Sequence, residues 1–86
     1  MFHAYILQCN DGTYYVGSTN NMERRLYQHN NSKAGAHYTK IRRPVTLVYS
    51  ESFPTYAEVR RREGELKRLT RPQKESLVNK WGQAPF

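Results

Sequence analysis

Eighty-six residues make one domain, with a core too modest to enclose a large pocket, so work on an open surface groove is expected. Fourteen Lys and Arg against seven Asp and Glu leave a net charge of +7, which suits a polyanionic partner, nucleic acid or an anionic membrane surface. No run nears the roughly 20 apolar residues of a membrane span, and the lone Cys9 excludes an internal disulfide.

Residues 3–9 (HAYILQC) and 13–18 (TYYVGS) read as two strands rich in β-branched and aromatic residues, linked by the turn cluster Asn10-Asp11-Gly12. A helix follows with Asn20 as N-cap and Glu23 three residues on; it carries Met22 and Leu26 inward and ends near Asn30. Residues 31–43 form a polar, basic connection. Pro44 opens a third strand, 45–50, in which Val45, Leu47 and Tyr49 alternate with Thr46, Val48 and Ser50. Thr55 and Glu58 make a capping box for a helix to about Leu69. Thr70-Arg71-Pro72-Gln73 repeats the start signal for a last helix to about Lys80, with Leu77, Val78 and Trp81 inward. The order is β-β-α-β-α-α. Strands joined by so short a loop must be antiparallel, so the class is α+β. One domain is expected over 1–82, with 83–86 a short tail. Met1 to Tyr5 lacks the form of a signal peptide, and a cytoplasmic location is expected.

One residue breaks the pattern of the second long helix. Its inward stripe is Tyr56, Val59, Glu63, Leu66, which sets a carboxylate in an apolar face. Glu58 is used in the capping box, and Glu65 lies opposite the stripe, where Arg61 or Arg68 can pair with it. A buried carboxylate needs a cation. An arginine is the ordinary partner; a hard metal ion such as magnesium, held by one or two carboxylates plus waters and phosphate oxygens, is the other.

In the hairpin, loop length decides which side chains share a face. A two-residue Asp11-Gly12 turn would separate Tyr5 from Tyr15. A three-residue loop, Asn10-Asp11-Gly12, pairs Cys9 with Thr13 and brings Tyr5, Tyr15 and Gly17 together. Glycine at the third position is what that loop requires, so it is the expected one. Gly17 then lies opposite Tyr5, and a strand glycine often marks close approach of a ligand or another backbone. On the first helix, Arg25 and His29 are four apart and share one face. Arginine suits phosphate contacts, and histidine is the usual proton shuttle near neutral pH.

These pieces, in this order, resemble the GIY-YIG nuclease superfamily. His3-Ala4-Tyr5 stands where the first signature has Gly-Ile-Tyr, and Tyr15-Val16-Gly17 matches the second. Tyr15 to His29 is similar to the segment that follows, with its arginine at Arg25 and histidine at His29. Thr55 to Lys67 resembles the helix bearing the metal-binding glutamate, which falls on Glu63. Gly35-Ala36-His37-Tyr38-Thr39 and the short length look most like the small single-domain bacterial branch related to the URI domain.

The resemblance implies a three-stranded antiparallel sheet flanked by helices. It also implies an endonuclease that hydrolyses phosphodiesters, in DNA rather than RNA, with one Mg²⁺ or Mn²⁺ ion, no small-molecule cofactor and no membrane. Tyr5 would be the general base or water-orienting phenol, with Tyr15 in support. Arg25 would hold the scissile phosphate, His29 would handle protons or contact phosphate, and Glu63 would hold the metal. Gly17 would leave room for the substrate backbone, with His37, Tyr38, Lys40, Arg42 and Arg43 on the nucleic-acid face. Several family enzymes place an asparagine after the metal helix; this chain has none there, and Gln73 is the residue that could take over its contact. The competing reading is a non-catalytic binding module, with Lys33, Lys40, Arg42, Arg43, Arg60, Arg61 and Arg62 on phosphates and Tyr38 stacking on bases.

Overall fold

The computed structural model describes residues 1–32 and 36–82; the expected tail at 83–86, Lys33 and Gly35 lie outside the described residues. The elements are β1 (Phe2–Gln8), β2 (Tyr14–Thr19), α1 (Met22–Asn31), α2 (His37–Lys40), β3 (Thr46–Phe53), α3 (Tyr56–Arg68) and α4 (Arg71–Gly82). Against the expected order, the one addition is the single-turn α2. The sheet runs β2-β1-β3, antiparallel throughout.

The hairpin takes the longer loop. Gly12 sits at φ 85°, its N–H donates to the Cys9 carbonyl at 2.9 Å, and the Cys9 N–H donates to Thr13 at 2.8 Å. Only glycine adopts that left-handed backbone freely. The register therefore sets Tyr5 opposite Gly17 and Leu7 opposite Tyr15.

As the central strand, β1 is buried on both faces, which accounts for its almost unbroken apolar run. Ala4 and Ile6 join Val16, Val59 and Leu66 in a cluster under α3 and α4. Tyr5, Leu7 and Cys9 join Val45 in a second cluster, closed by Tyr15, Met22, Leu26 and Tyr38. The result is three layers, with α1 and α2 on one face of the sheet and α3 and α4 on the other.

Four local readings are corrected by the geometry. The cap of α1 is Asn21 rather than Asn20: its Oδ1 accepts the Arg24 N–H at 3.0 Å. In β3 the simple alternation fails, because a bulge lets Ile6 pair with Tyr49 and Leu7 with Leu47; Leu47 and Tyr49 consequently join different clusters. Tyr56 and Trp81, expected inward, are 60 % and 39 % exposed, since each lies beyond the edge of the core at a helix end. Glu65 pairs with Arg62 at 3.4 Å, not with Arg61 or Arg68. Both helix starts are capped: Thr55 accepts the Glu58 N–H at 3.2 Å, and Thr70 and Gln73 form the full reciprocal box. Gln73 is thereby committed to starting α4.

Candidate active site

The edge strand β2 divides the site in two. From the α1 face, the Tyr5 phenol reaches out over Gly17; a Cβ on that glycine would meet Tyr5 Oη at 2.5 Å. The room beside Gly17 is filled by Tyr5 and is not open to a substrate backbone. From the α3 face, Glu63 reaches Ser18, the next residue of the same strand, whose hydroxyl donates to Glu63 Oε1 at 2.5 Å.

On the first face, Tyr5 Oη and His29 Nε2 are 2.9 Å apart. The opposite ring nitrogen, Nδ1, lies 2.8 Å from Thr39 Oγ1. The Arg25 guanidinium, whose charge acts on the Tyr5 hydroxyl, donates to Gln28 Oε1 at 3.1 Å. Tyr15 meets the His29 ring edge-on at 5.2 Å between centroids. Tyr5, Tyr15, Arg25 and His29, expected together from the sequence, are thus gathered around one imidazole.

Burial dominates the protonation of this group. It pushes the Tyr5 phenol up to about 12 against the opposing hydrogen bond and charge of Arg25, with Tyr15 and Glu63 adding to the rise. His29 is completely enclosed. Burial, then the charges of Arg25 and Arg43, hold its imidazole down at about 4. A ring without exposed surface has no access to a phosphate.

On the second face, Glu63 is 8 % exposed. Burial pulls its carboxyl upward, but hydrogen bonds from Lys67 and Ser18 and the charges of Lys67 and Arg60 outweigh that and lower it overall. Its cation is chiefly a lysine, Lys67 Nζ at 2.8 Å, with Arg60 farther off at 3.7 Å. Among the described residues no three His, Cys, Asp or Glu side chains converge as a metal cage. A single ionised carboxylate still fits a hard divalent cation that draws its other ligands from water and phosphate, and the ammonium of Lys67 stands where such a cation would bind.

The expected nucleic-acid face is largely committed to structure. Arg43 donates to the carbonyls of His29 at 2.6 Å, Gln28 at 3.2 Å and Ser32 at 2.6 Å, and so caps the C-terminus of α1. Arg42 bonds Asp11 at 3.0 Å and covers the Tyr38 ring at 3.9 Å. Tyr38 in turn stacks on Tyr15, with centroids 6.0 Å apart. His37 is exposed and Lys40 half-buried on α2. Three participants were not picked out from the sequence: Ser18, Thr39, and Lys67, which stands at Glu63 where an arginine was expected. Ser18 adjoins the second signature, which was its only signal. Thr39 ends the stretch Gly35 to Thr39 but has no helical or strand spacing to link it with His29.

A family model described as the GIY-YIG catalytic domain matches residues 1–76. A UPF0213 protein of Halobacterium salinarum is 49 % identical over 77 residues, covering 90 % of this chain and 99 % of that one. A UPF0213 protein of Staphylococcus epidermidis is 49 % identical over 75 residues, covering 87 % and 90 %. Among solved structures, a solution NMR structure of a protein from E. faecalis aligns with TM-score 0.62 and 41 % identity over 98 % of this chain and 88 % of that one. That of a UPF0213 protein from Bacillus halodurans aligns with TM-score 0.58 and 44 % identity over 92 % and 84 %.

Proposed function

The chain belongs to the GIY-YIG catalytic domain family, a nuclease family, and on that premise we propose that it is a divalent-metal-dependent endonuclease acting on DNA at the β2 edge. The observation that carries this reading is the placement of the two halves of the site on neighbouring residues of one edge strand: Tyr5 Oη lies over Gly17 from one face of the sheet, and Glu63 is hydrogen-bonded to Ser18 from the other. A phosphodiester at this edge would meet Glu63 first, and would meet Tyr5, 1 % exposed, only once the strand edge over it opens.

Tyr5 is the water-orienting phenol. A hydroxyl oxygen has two lone pairs and one proton. With its own proton held in a hydrogen bond to His29 Nε2, the phenol oxygen accepts from an attacking water and orients it, and the water's proton leaves to solvent. Tyr5 then never has to ionise, which matters for a phenol held near 12. Arg25 offsets charge growing on the phosphate. Tyr15, half-buried beside His29, lines the approach. Glu63, steadied by Ser18, would hold one Mg²⁺ or Mn²⁺ once Lys67 swings away. Such an ion supplies neutralisation of the phosphate and of the leaving oxygen. Phosphate contacts outside the centre fall to Lys40 and His37 rather than to Arg42 and Arg43.

A second reading has its own support. Lys67 already neutralises Glu63, as it would in a module that binds nucleic acid without cutting it. One experiment separates the two. Single-stranded, duplex and branched DNA, and RNA, are incubated with Mg²⁺ or Mn²⁺ and either wild type or Glu63→Gln, with binding scored in parallel. The nuclease reading expects metal-dependent cutting that Glu63→Gln abolishes while binding persists. Binding without cutting by either protein on every substrate leaves the binding module.

A further inference from the structure

The hydrogen bonds around His29 determine which of its nitrogens carries the proton, and the determining residue is Thr39. Thr39 Oγ1 lies 2.9 Å from the Ala36 carbonyl oxygen. Two oxygens at that separation need a proton between them, and the carbonyl has none to give. The threonine hydroxyl must therefore donate to Ala36. Its remaining contact, with His29 Nδ1 at 2.8 Å, must be one in which it accepts. The proton of the neutral imidazole is then on Nδ1, and Nε2 is left as a bare acceptor facing Tyr5 Oη at 2.9 Å.

From this geometry we infer that Thr39 is a positioning residue: it locks His29 as the Nδ1–H tautomer and thereby makes Nε2 the acceptor of the Tyr5 proton. The surroundings hold this arrangement rigid. Thr39 and His29 have no exposed surface. The short α2 that carries Thr39 begins at the same Ala36 whose carbonyl takes the Thr39 and Lys40 N–H groups, at 3.1 and 3.0 Å. Arg43 fixes the His29 backbone through its carbonyl at 2.6 Å. With His29 depressed to about 4, the ring is neutral near pH 7 and the tautomer is a defined quantity. In the opposite tautomer an N–H would face the phenol, and His29 could not accept its proton.

The consequence for cleavage rests on the nuclease reading above, but the tautomer does not. The decisive measurement is the nitrogen-15 spectrum of histidine-labelled protein near neutral pH, on wild type, Thr39→Val and Thr39→Ser. Wild type and Thr39→Ser should show His29 protonated on Nδ1 and bare on Nε2. Thr39→Val, nearly the same shape without the hydroxyl, should lose that single-tautomer signature. Where cleavage is observed, it should fall on the order of 100-fold in Thr39→Val, the scale of a misdirected acid–base group, and recover in Thr39→Ser. Wild type carrying its proton on Nε2 overturns the inference whether or not the protein cuts, and so does a Thr39→Val variant that keeps the wild-type tautomer. Absence of cleavage in all three proteins with the expected spectra leaves the inference intact and sinks the nuclease reading. A Thr39→Val variant that does not fold leaves the wild-type and Thr39→Ser spectra to decide.

Discussion

Tyr5 lies so close over Gly17 that a Cβ built on the glycine would stand 2.5 Å from the phenol oxygen and 2.7 Å from Cζ. Tyr5 is 1 % exposed and tied to His29, so the ring has no free direction in which to yield. Gly17→Ala should therefore move Tyr5 off His29. The expected result is a loss of about 1–3 kcal/mol of stability, as for overpacking elsewhere, together with loss of cleavage. Urea unfolding and the cleavage assay check it. A fully active, fully stable alanine variant would mean the ring can leave Gly17 without consequence.

Acid should weaken the fold through His29 before it does so through any carboxylate. The unfolded imidazole titrates near the ordinary 6.5, the folded one near 4. Between these values the unfolded chain takes up a proton that the folded chain refuses, so stability falls as pH drops through that window. Glu63 acts lower down: its carboxyl lies below the ordinary 4.5, so its contribution is intact above that and is lost as pH falls through the folded value. Thermal unfolding from neutral pH to about pH 4 should give a steeper decline in Tm for wild type than for His29→Gln. Parallel curves would refute a buried neutral histidine.

The sequence made the frame of this site legible because the frame rests on local rules. Cap boxes at Thr55 and Thr70, a Gly12 turn and a carboxylate on an apolar stripe each act within a few residues. The turn alone fixed the register that brings Tyr5, Tyr15 and Gly17 together. What stayed hidden depends on distance in sequence. Ser18 meets Glu63 across 45 positions, and Arg43 reaches back over 11 to 15 to cap α1. Basic residues clustered in a polar stretch look alike whether they face phosphate or a helix end, and only the fold tells them apart. The bulge in β3 belongs to the same class, since the strand's own alternation gives no sign of it.

Lys67 is the cation that any metal at Glu63 must displace, with Nζ at 2.8 Å from Oε2 and a side chain 57 % exposed. Removing it should leave Glu63 ionised, through Ser18 and Arg60, yet more available. Lys67→Gln is expected to bind Mn²⁺ about fivefold more tightly than wild type, the ~1 kcal/mol that one unit charge about 4 Å away is worth when screened by water. Calorimetry, or paramagnetic broadening of the Glu63 and Ser18 amides, reads this out. Unchanged or weaker Mn²⁺ affinity would remove Glu63 from consideration as the ligand.

Arg43 and Lys40 offer opposite outcomes from similar chemistry. Arg43 spends its guanidinium on the last carbonyls of α1, including that of His29 itself, and charge-assisted bonds of this kind are worth about 1.5–3 kcal/mol each. Arg43→Ala should lower stability by roughly that amount or more. Its affinity for nucleic acid and the slope of affinity against salt should stay as in wild type. Lys40, half-buried on α2 next to Tyr38, should behave the other way: Lys40→Ala leaves stability within about 0.5 kcal/mol and reduces the salt slope by about one, the loss of one phosphate contact. Urea unfolding and binding titrations at several salt concentrations measure both variants. An Arg43→Ala protein of wild-type stability but reduced salt slope would return that arginine to the nucleic-acid face.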